Sequence, residues 1–259
     1  MMSMSICHLL ITRFNIQYEP EDTIGIQPAW LEERLQLFEQ YCITSVQHQS
    51  CTAFLWILIG DERTSSVYRR RIEKYKESIP NLRTYWCAYQ KDGYHNLYRQ
   101  IAQEYLHDGD ILITSRLDND DSIAEDYIER VQQAAKDGEE GIISFPLGKQ
   151  TFVKDNKSYI VSYLPNHSTS RIEKSGFETV MAFNHALLDQ SQLRPIETDH
   201  PMWEEIIHGG NVSNDYVPKY HYHIRSLEDF YDLSRRWFRF QTNRLFHFGK
   251  TLFVFSDKR

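Results

Sequence analysis

Short apolar strands alternate with helical stretches through the first half of the chain, and this alternation constrains the fold more than any other feature. Strand candidates fall at residues 8–12, 53–59, 82–88, 111–114 and 141–145. Helical patterns lie between them, near 30–41, 65–76, 95–106 and 123–135. Several of the strands are continuous apolar runs, as expected where helices cover both faces of a sheet. Strand–helix–strand alternation implies right-handed crossovers and a largely parallel sheet. The expected class is therefore α/β, with a mostly parallel central sheet flanked by helices. The second half changes character. Residues 151–153 and 159–163 flank Lys154-Asp155-Asn156-Lys157, a hairpin turn signal, and an irregular polar stretch follows at 165–175. After an apolar run at 179–183, Asp199-His200-Pro201-Met202-Trp203 is expected to open a short helix that Gly209-Gly210 ends. A final helix is expected from 227 to about 248.

The densest chemistry follows the fourth strand, in Arg116-Leu117-Asp118-Asn119-Asp120-Asp121. Ligands of open α/β sheets bind beyond the carboxyl ends of the strands. Carboxylates this close repel one another unless a cation sits among them, and hard oxygen donors favour Mg²⁺, Mn²⁺ or Ca²⁺ over zinc. Two other uses compete. Asp121 or Ser122 is placed to cap a helix beginning near Ile123. Asp118, Asp120, Ser122, Asp126 and Glu129 also fit the ligand positions of a calcium loop. That template needs glycine where this chain has Ile123, and a helix where it has a strand.

Composition narrows the function classes. A net charge of −7 argues against general nucleic-acid binding. No apolar run approaches the length of a membrane span, and the first residues do not read as a signal peptide, so the expected location is cytoplasmic. From Arg235 to Arg259 the charge is +6, which leaves −13 for the rest. That tail also carries Trp237, Phe238, Phe240, Phe246, Phe248, Phe253 and Phe255. Such a composition fits peripheral contact with the inner face of an anionic membrane, an acidic partner, or a helix packing its aromatics onto the domain. Cys7, Cys42, Cys51 and Cys87 show no metal-type spacing and read as reduced thiols.

His8-Leu9-Leu10-Ile11-Thr12-Arg13-Phe14-Asn15 and Ile113-Thr114-Ser115-Arg116-Leu117-Asp118-Asn119-Asp120-Asp121 together resemble the bacterial rhamnosyltransferase family. Phe54-Leu55-Trp56-Ile57-Leu58-Ile59 and His200-Pro201-Met202-Trp203 strengthen the likeness, which runs from about residue 7 to 245. The resemblance implies a GT-A (Rossmann-like) nucleotide-diphospho-sugar transferase fold, with Asp118-Asn119-Asp120 as its DxD motif. It implies a single domain: a nucleotide-sugar-binding half at 1–146, an acceptor half at 147–226, and a C-terminal helix and tail at 227–259. The implied reaction moves a sugar, rhamnose by the family's label, from a nucleotide-diphosphate donor to a saccharide or lipid-linked acceptor in polysaccharide biosynthesis. The implied cofactor is Mn²⁺ or Mg²⁺, which neutralises the leaving diphosphate.

By analogy, Asp120 binds the metal directly, and Asp118 contacts it through water or holds the ribose. Asp121 completes the surroundings or caps the next helix. His208 is a candidate metal ligand from the other half, with His221 and His223 as weaker rivals. Arg13, at the end of the first strand, is placed to grip phosphate or stack on a base, and equally to pair with the carboxylates. Asp61, after the second strand, is a candidate for reading the base. Arg99 is a candidate for the diphosphate, with an ordinary helix-face ion pair as the other reading. Arg116 either faces the site or pairs with Asp118. An inverting transferase needs a base for the acceptor hydroxyl. Asp199 and Glu204 bracket the expected late helix and are the candidates, and Trp203 offers a face to a sugar ring. Sugar nucleotidyltransferases are disfavoured because no glycine-rich loop follows the first strand. A non-catalytic sugar-nucleotide or carbohydrate binder on a degenerate GT-A fold is the remaining rival.

Overall fold

A computed structural model describes residues 5–154, 156–174, 176–182 and 190–209. The first strand, β1 (Ile6–Arg13), lies at the centre of the main sheet. On either side run β2 (Leu55–Asp61) and β4 (Ile111–Arg116), both parallel to it, and β3 (Leu82–Cys87) forms an edge beyond β2. The connecting helices are α1 (Pro28–Leu37), α2 (Thr44–Gln47), α3 (Ser66–Glu73), α4 (His95–Tyr105) and, beyond β4, α5 (Tyr127–Lys136). A π-helical stretch, Phe38–Ile43, joins the first two.

The apolar runs bury both their faces. Leu10, Trp56, Leu58 and Ile113 pack with Leu31, Leu35 and Phe38 on one side of the sheet. Leu9, Ile11, Ile57 and Ile59 pack with Tyr94, Tyr98 and Ile101 on the other. Trp56 is wholly buried, and its indole N–H donates to Thr12 Oγ1 at 3.0 Å, so the one polar atom of that side chain is satisfied. All four cysteines are free thiols, and burial first, then the carboxylates 118–121, pushes the Cys42 thiol up.

The second half completes the main sheet and adds another. Its strands are β6 (Gly141–Ser144), β7 (Leu147–Phe152), β8 (Lys157–Ser162), β9 (Thr169–Glu173), β10 (Leu193–Pro195) and β11 (Trp203–Ile207), with β5 (Ser122–Ile123) between the carboxylates and α5. The seven-stranded order is β10-β6-β9-β4-β1-β2-β3, parallel throughout except at the two pairings of β9. A four-stranded sheet, β5-β11-β7-β8, stands beside it. This is the α/β class with a mostly parallel central sheet that the sequence leads one to expect.

Three sequence expectations are corrected. The irregular polar stretch 165–175 contributes β9, a strand inside the main sheet. Its Ser170 and Glu173 are buried but bonded, which polarity alone hides. The helix expected near Ile123 begins instead at Tyr127, because Ser122–Ile123 pairs with β11, so neither Asp121 nor Ser122 caps it. The helix expected after Asp199 is β11, whose five residues are all buried between β5 and β7. The expected hairpin is present, as β7 and β8. Among the described residues no helix is long and apolar enough to cross a membrane. The expected helix from 227, the basic aromatic tail, His221 and His223 lie outside the described residues.

Candidate active site

The site begins where β1 and β4 end side by side. Register pairs Ile11 with Arg116, and the Leu117 N–H donates to Ile11 O, so residues 118–121 emerge next to Arg13 at the carboxyl edge of the sheet. Asn119 fastens the two ends together, its Nδ2 donating to Arg13 O at 3.0 Å and also to Phe14 O. Asn15 ties the next layer. It donates to Gly25 O and Thr64 Oγ1, both at 2.8 Å, and accepts the Asp61 N–H.

Each carboxylate has a different environment. Asp118 meets Arg116 as a fork, with Nε and Nη2 each 3.1 Å from one of its oxygens. Burial favours its neutral form, but Arg116 and Arg13, followed by His167, outweigh this and hold it below the usual carboxylate range. Asp120 Oδ2 takes two donors, Arg34 Nη1 at 2.6 Å and His208 Nε2 at 3.0 Å. Asp121 is pushed well above the usual range, first by burial and then by Asp120, Asp118 and Glu205, although the Ile206 N–H works against this. That N–H reaches Asp121 Oδ1 at 2.8 Å, and His167 Nε2 lies 3.4 Å from Oδ2. Residues 120–121 and 206–208 thus clasp each other, and the clasp brings His208 of the second sheet to Asp120 of the first.

Of the expected site residues, Arg13, Arg116, Asp118, Asp120 and His208 are gathered here. Arg13 also lies over the Tyr18 ring, 5.8 Å from its centroid, and Tyr18 is 67% exposed. Asp61 is buried one layer out and accepts Arg63 on both oxygens, Nη2 at 2.7 Å. Arg99 takes up the helix-face ion pair, with Glu178.

The candidate bases lose the helix that selected them. Asp199 is paired with His200 at 2.8 Å and Arg130 at 3.5 Å, with its side chain 66% exposed. Glu204 is buried against Lys149 at 2.8 Å and also accepts from Thr151 and Ser122. Strand alternation turns its neighbour Glu205 the other way. Glu205 accepts Gln150 Nε2 at 2.6 Å and acts electrostatically on Asp121. Trp203 shares that face but is wholly buried, edge-on to His167 and Tyr163, so it offers no open ring to a sugar.

Arg34, Tyr18, His167 and Glu205 were missed from sequence. Only Tyr18 carried a signal, an aromatic five residues beyond Arg13 in a polar loop.

Among the described residues no three His, Cys, Asp or Glu side chains are arranged as a ligand set for a metal. Asp120 Oδ2 and His208 Nε2 lie side by side, 3.0 Å apart, an oxygen and a nitrogen at the same edge of the site. That suits a hard cation that takes its other ligands from substrate phosphates and water.

Comparison with known proteins gives a family and a set of distant folds. Residues 12–220 match the model of the family described as "Putative rhamnosyl transferase". No curated protein matches in sequence. Among solved structures, S. aureus TarS 1-349 in complex with UDP-GlcNAc is similar at TM-score 0.49 and 12% identity, over 89% of this chain and 65% of that one. S. aureus TarS 1-349 in complex with UDP aligns at TM-score 0.44 and 11% identity, over 89% and 64%. The chain therefore spans less than two thirds of the length of these structures.

Proposed function

From its membership of the rhamnosyl transferase family, to which the chain belongs by a match over 12–220, we propose that the protein is a GT-A-type glycosyltransferase using a nucleotide-diphosphate sugar. The observation that carries the reading is the convergence of Asp118, Asp120, Arg13, Arg34, Arg116 and His208 beyond the carboxyl edge of β1 and β4. An anionic diphosphate needs cations there, and the arginines supply them. Tyr18, exposed beside Arg13, offers a face for the base. Asp118, held ionised by Arg116, is positioned to accept from ribose hydroxyls. Asp120 and His208 would hold Mn²⁺ or Mg²⁺, whose chemistry is to neutralise charge on the departing diphosphate.

The acceptor is a saccharide or lipid-linked hydroxyl, and the donated sugar rhamnose by the family's description. The acceptor oxygen attacks the anomeric carbon as the bond from that carbon to the phosphate oxygen breaks. The nucleoside diphosphate leaves with the electron pair, and the acceptor proton passes to a carboxylate. Glu205 replaces Asp199 and Glu204 as the candidate for that carboxylate. Gln150, on the neighbouring strand, fixes its orientation by donating from Nε2 at 2.6 Å. Attack by the acceptor oxygen on the face opposite the leaving diphosphate inverts the anomeric carbon, while the carboxylate takes the acceptor proton.

Thermal stability with UDP, dTDP and GDP, each with and without Mn²⁺, tests the donor site. A nucleotide at a hundredfold its dissociation constant stabilises by about 2.7 kcal/mol. That corresponds to roughly 5–10 °C for a chain of this size. The shift should need both ligands and vanish in Asp120→Ala. No shift with any nucleotide would sink the reading. Glu205→Gln should abolish sugar transfer while keeping the nucleotide shift, and retained transfer would remove Glu205 from the role.

A further inference from the structure

Arg34 reaches the site from α1, outside both sheets, and it covers the oxygen a cation would need. Its Nη1 is 2.6 Å from Asp120 Oδ2 and 3.0 Å from Asn119 Oδ1, while His208 approaches the same Oδ2 at 3.0 Å. The guanidinium also lies over the Trp30 ring, 5.0 Å from its centroid, and Trp30 packs edge-on against Phe14. Stacking therefore holds the charge beside the site even when the carboxylate is given up. The side chain is 13% exposed, so an Arg34 displaced without a new partner is left as a poorly solvated cation. Among the described residues its Nε and Nη2 donate to no acceptor, which leaves a planar pair of donors for an anion.

We propose that Arg34 is a placeholder: it holds Asp120 while the donor site is empty, and exchanges that carboxylate for a donor phosphate when a divalent cation and a nucleoside diphosphate enter together. The inference rests on the donor-site reading above. A cation alone must evict an arginine that has nowhere to go. A cation arriving with a diphosphate gives the arginine a phosphate in return. The two ligands therefore bind with positive coupling, and each tightens the other by the same factor.

The test measures Mn²⁺ binding by calorimetry and by the EPR signal of free Mn²⁺, with and without whichever of UDP, dTDP and GDP binds. The proteins are the wild type, Arg34→Gln and Arg34→Lys. In the wild type the nucleotide should tighten Mn²⁺ by at least about tenfold, within the usual coupling range of about 5–150-fold. In Arg34→Gln, Mn²⁺ alone should bind at least about fivefold tighter than to wild type, with coupling reduced to about twofold. Arg34→Lys, which keeps the charge but not the fork, should fall between them and serves if the glutamine variant does not fold. Unchanged Mn²⁺ affinity or unchanged coupling in the variants would overturn the placeholder. So would nucleotide binding with no Mn²⁺ binding in any protein, an outcome that leaves the arginine-lined donor pocket standing. No nucleotide binding by the wild type would overturn the donor-site reading and the placeholder with it.

Discussion

Glu204→Gln separates a structural carboxylate from a catalytic one. In the folded protein Glu204 faces Lys149 at 2.8 Å, with side-chain exposures of 9% and 5%, in the middle of the four-stranded sheet. Removing the charge takes the carboxylate away from a buried ammonium on β7, and breaking one partner of a buried pair costs about 3–5 kcal/mol. Against a total stability of about 5–15 kcal/mol this is a large fraction. At about 2–4 °C per kcal/mol it lowers the melting midpoint by roughly 6–20 °C. The double variant Lys149→Met with Glu204→Gln removes the buried ammonium as well and should recover most of the loss, since apolar replacement of a buried pair is often neutral.

The pH dependence of the same variant follows from Lys149. Burial lowers its pKa, and Glu204 is the partner that raises it again. Between the lowered folded value and the ordinary unfolded one, the unfolded chain binds more protons, so stability rises with pH across that window. Without Glu204 the folded value falls further and the window widens downward, so the deficit of Glu204→Gln should be largest at neutral pH and shrink towards pH ~10. Thermal melts between pH 6 and pH 10, read beside sugar transfer, provide the assay. A variant that melts within about 1 kcal/mol of wild type yet transfers no sugar would refute the structural role and return Glu204 to the list of bases.

Other consequences follow from single positions. A Cβ on Gly148 would stand 2.1 Å from the Trp203 ring, which is wholly buried with its indole N–H bonded to Phe145 O. Gly148→Ala should therefore cost about 1–3 kcal/mol or more, seen as a lower urea midpoint at unchanged slope. Burial lowers His8 to about 3, so below pH ~6.5 only the unfolded chain takes up that proton and stability falls with pH. His8→Asn should lose this part of the acid slope in denaturation curves, and an unchanged slope would refute it. His200 is raised, mainly by its bond to Asp126 and against burial, with Asp199 adding to it. Its contribution is fully present below pH ~6.5 and lost as pH rises through the folded value, so His200→Gln should flatten the stability profile above that point.

The parts of the fold that sequence revealed are those in which one element states its own environment. Continuous apolar runs such as Leu55–Asp61 bury both faces and can do little else. The second half is different because its strands are polar. Thr169–Glu173 enters the main sheet with side chains that satisfy one another, Ser170 to Ser115 at 2.6 Å and Glu173 to the Thr179 N–H at 3.2 Å. Trp-Glu-Glu-Ile-Ile after a proline reads as a helix start only if its carboxylates face water. Here one carboxylate meets Lys149 from the neighbouring strand and the other meets Gln150. Local propensity was overridden by partners some fifty residues back in the chain, which no local pattern encodes.

The site shows the same division. That Asp118, Asp120 and Arg116 stand together was legible because one strand end carries all three. His208 was named as a donor on a helix that does not exist, and still lies beside Asp120. The reason is that its position depends on the bond from the Ile206 N–H to Asp121, not on the kind of element that precedes it. Arg34 had no such anchor in the sequence: it stands in an ordinary helix, Pro28–Leu37, 85 residues from Asn119 and 86 from Asp120. A carboxylate pair in a sequence announces that cations are needed. Which cations answer, a metal, a histidine or an arginine from a distant helix, is decided by the packing of α1 against the strand ends, and that is a property of the folded chain alone.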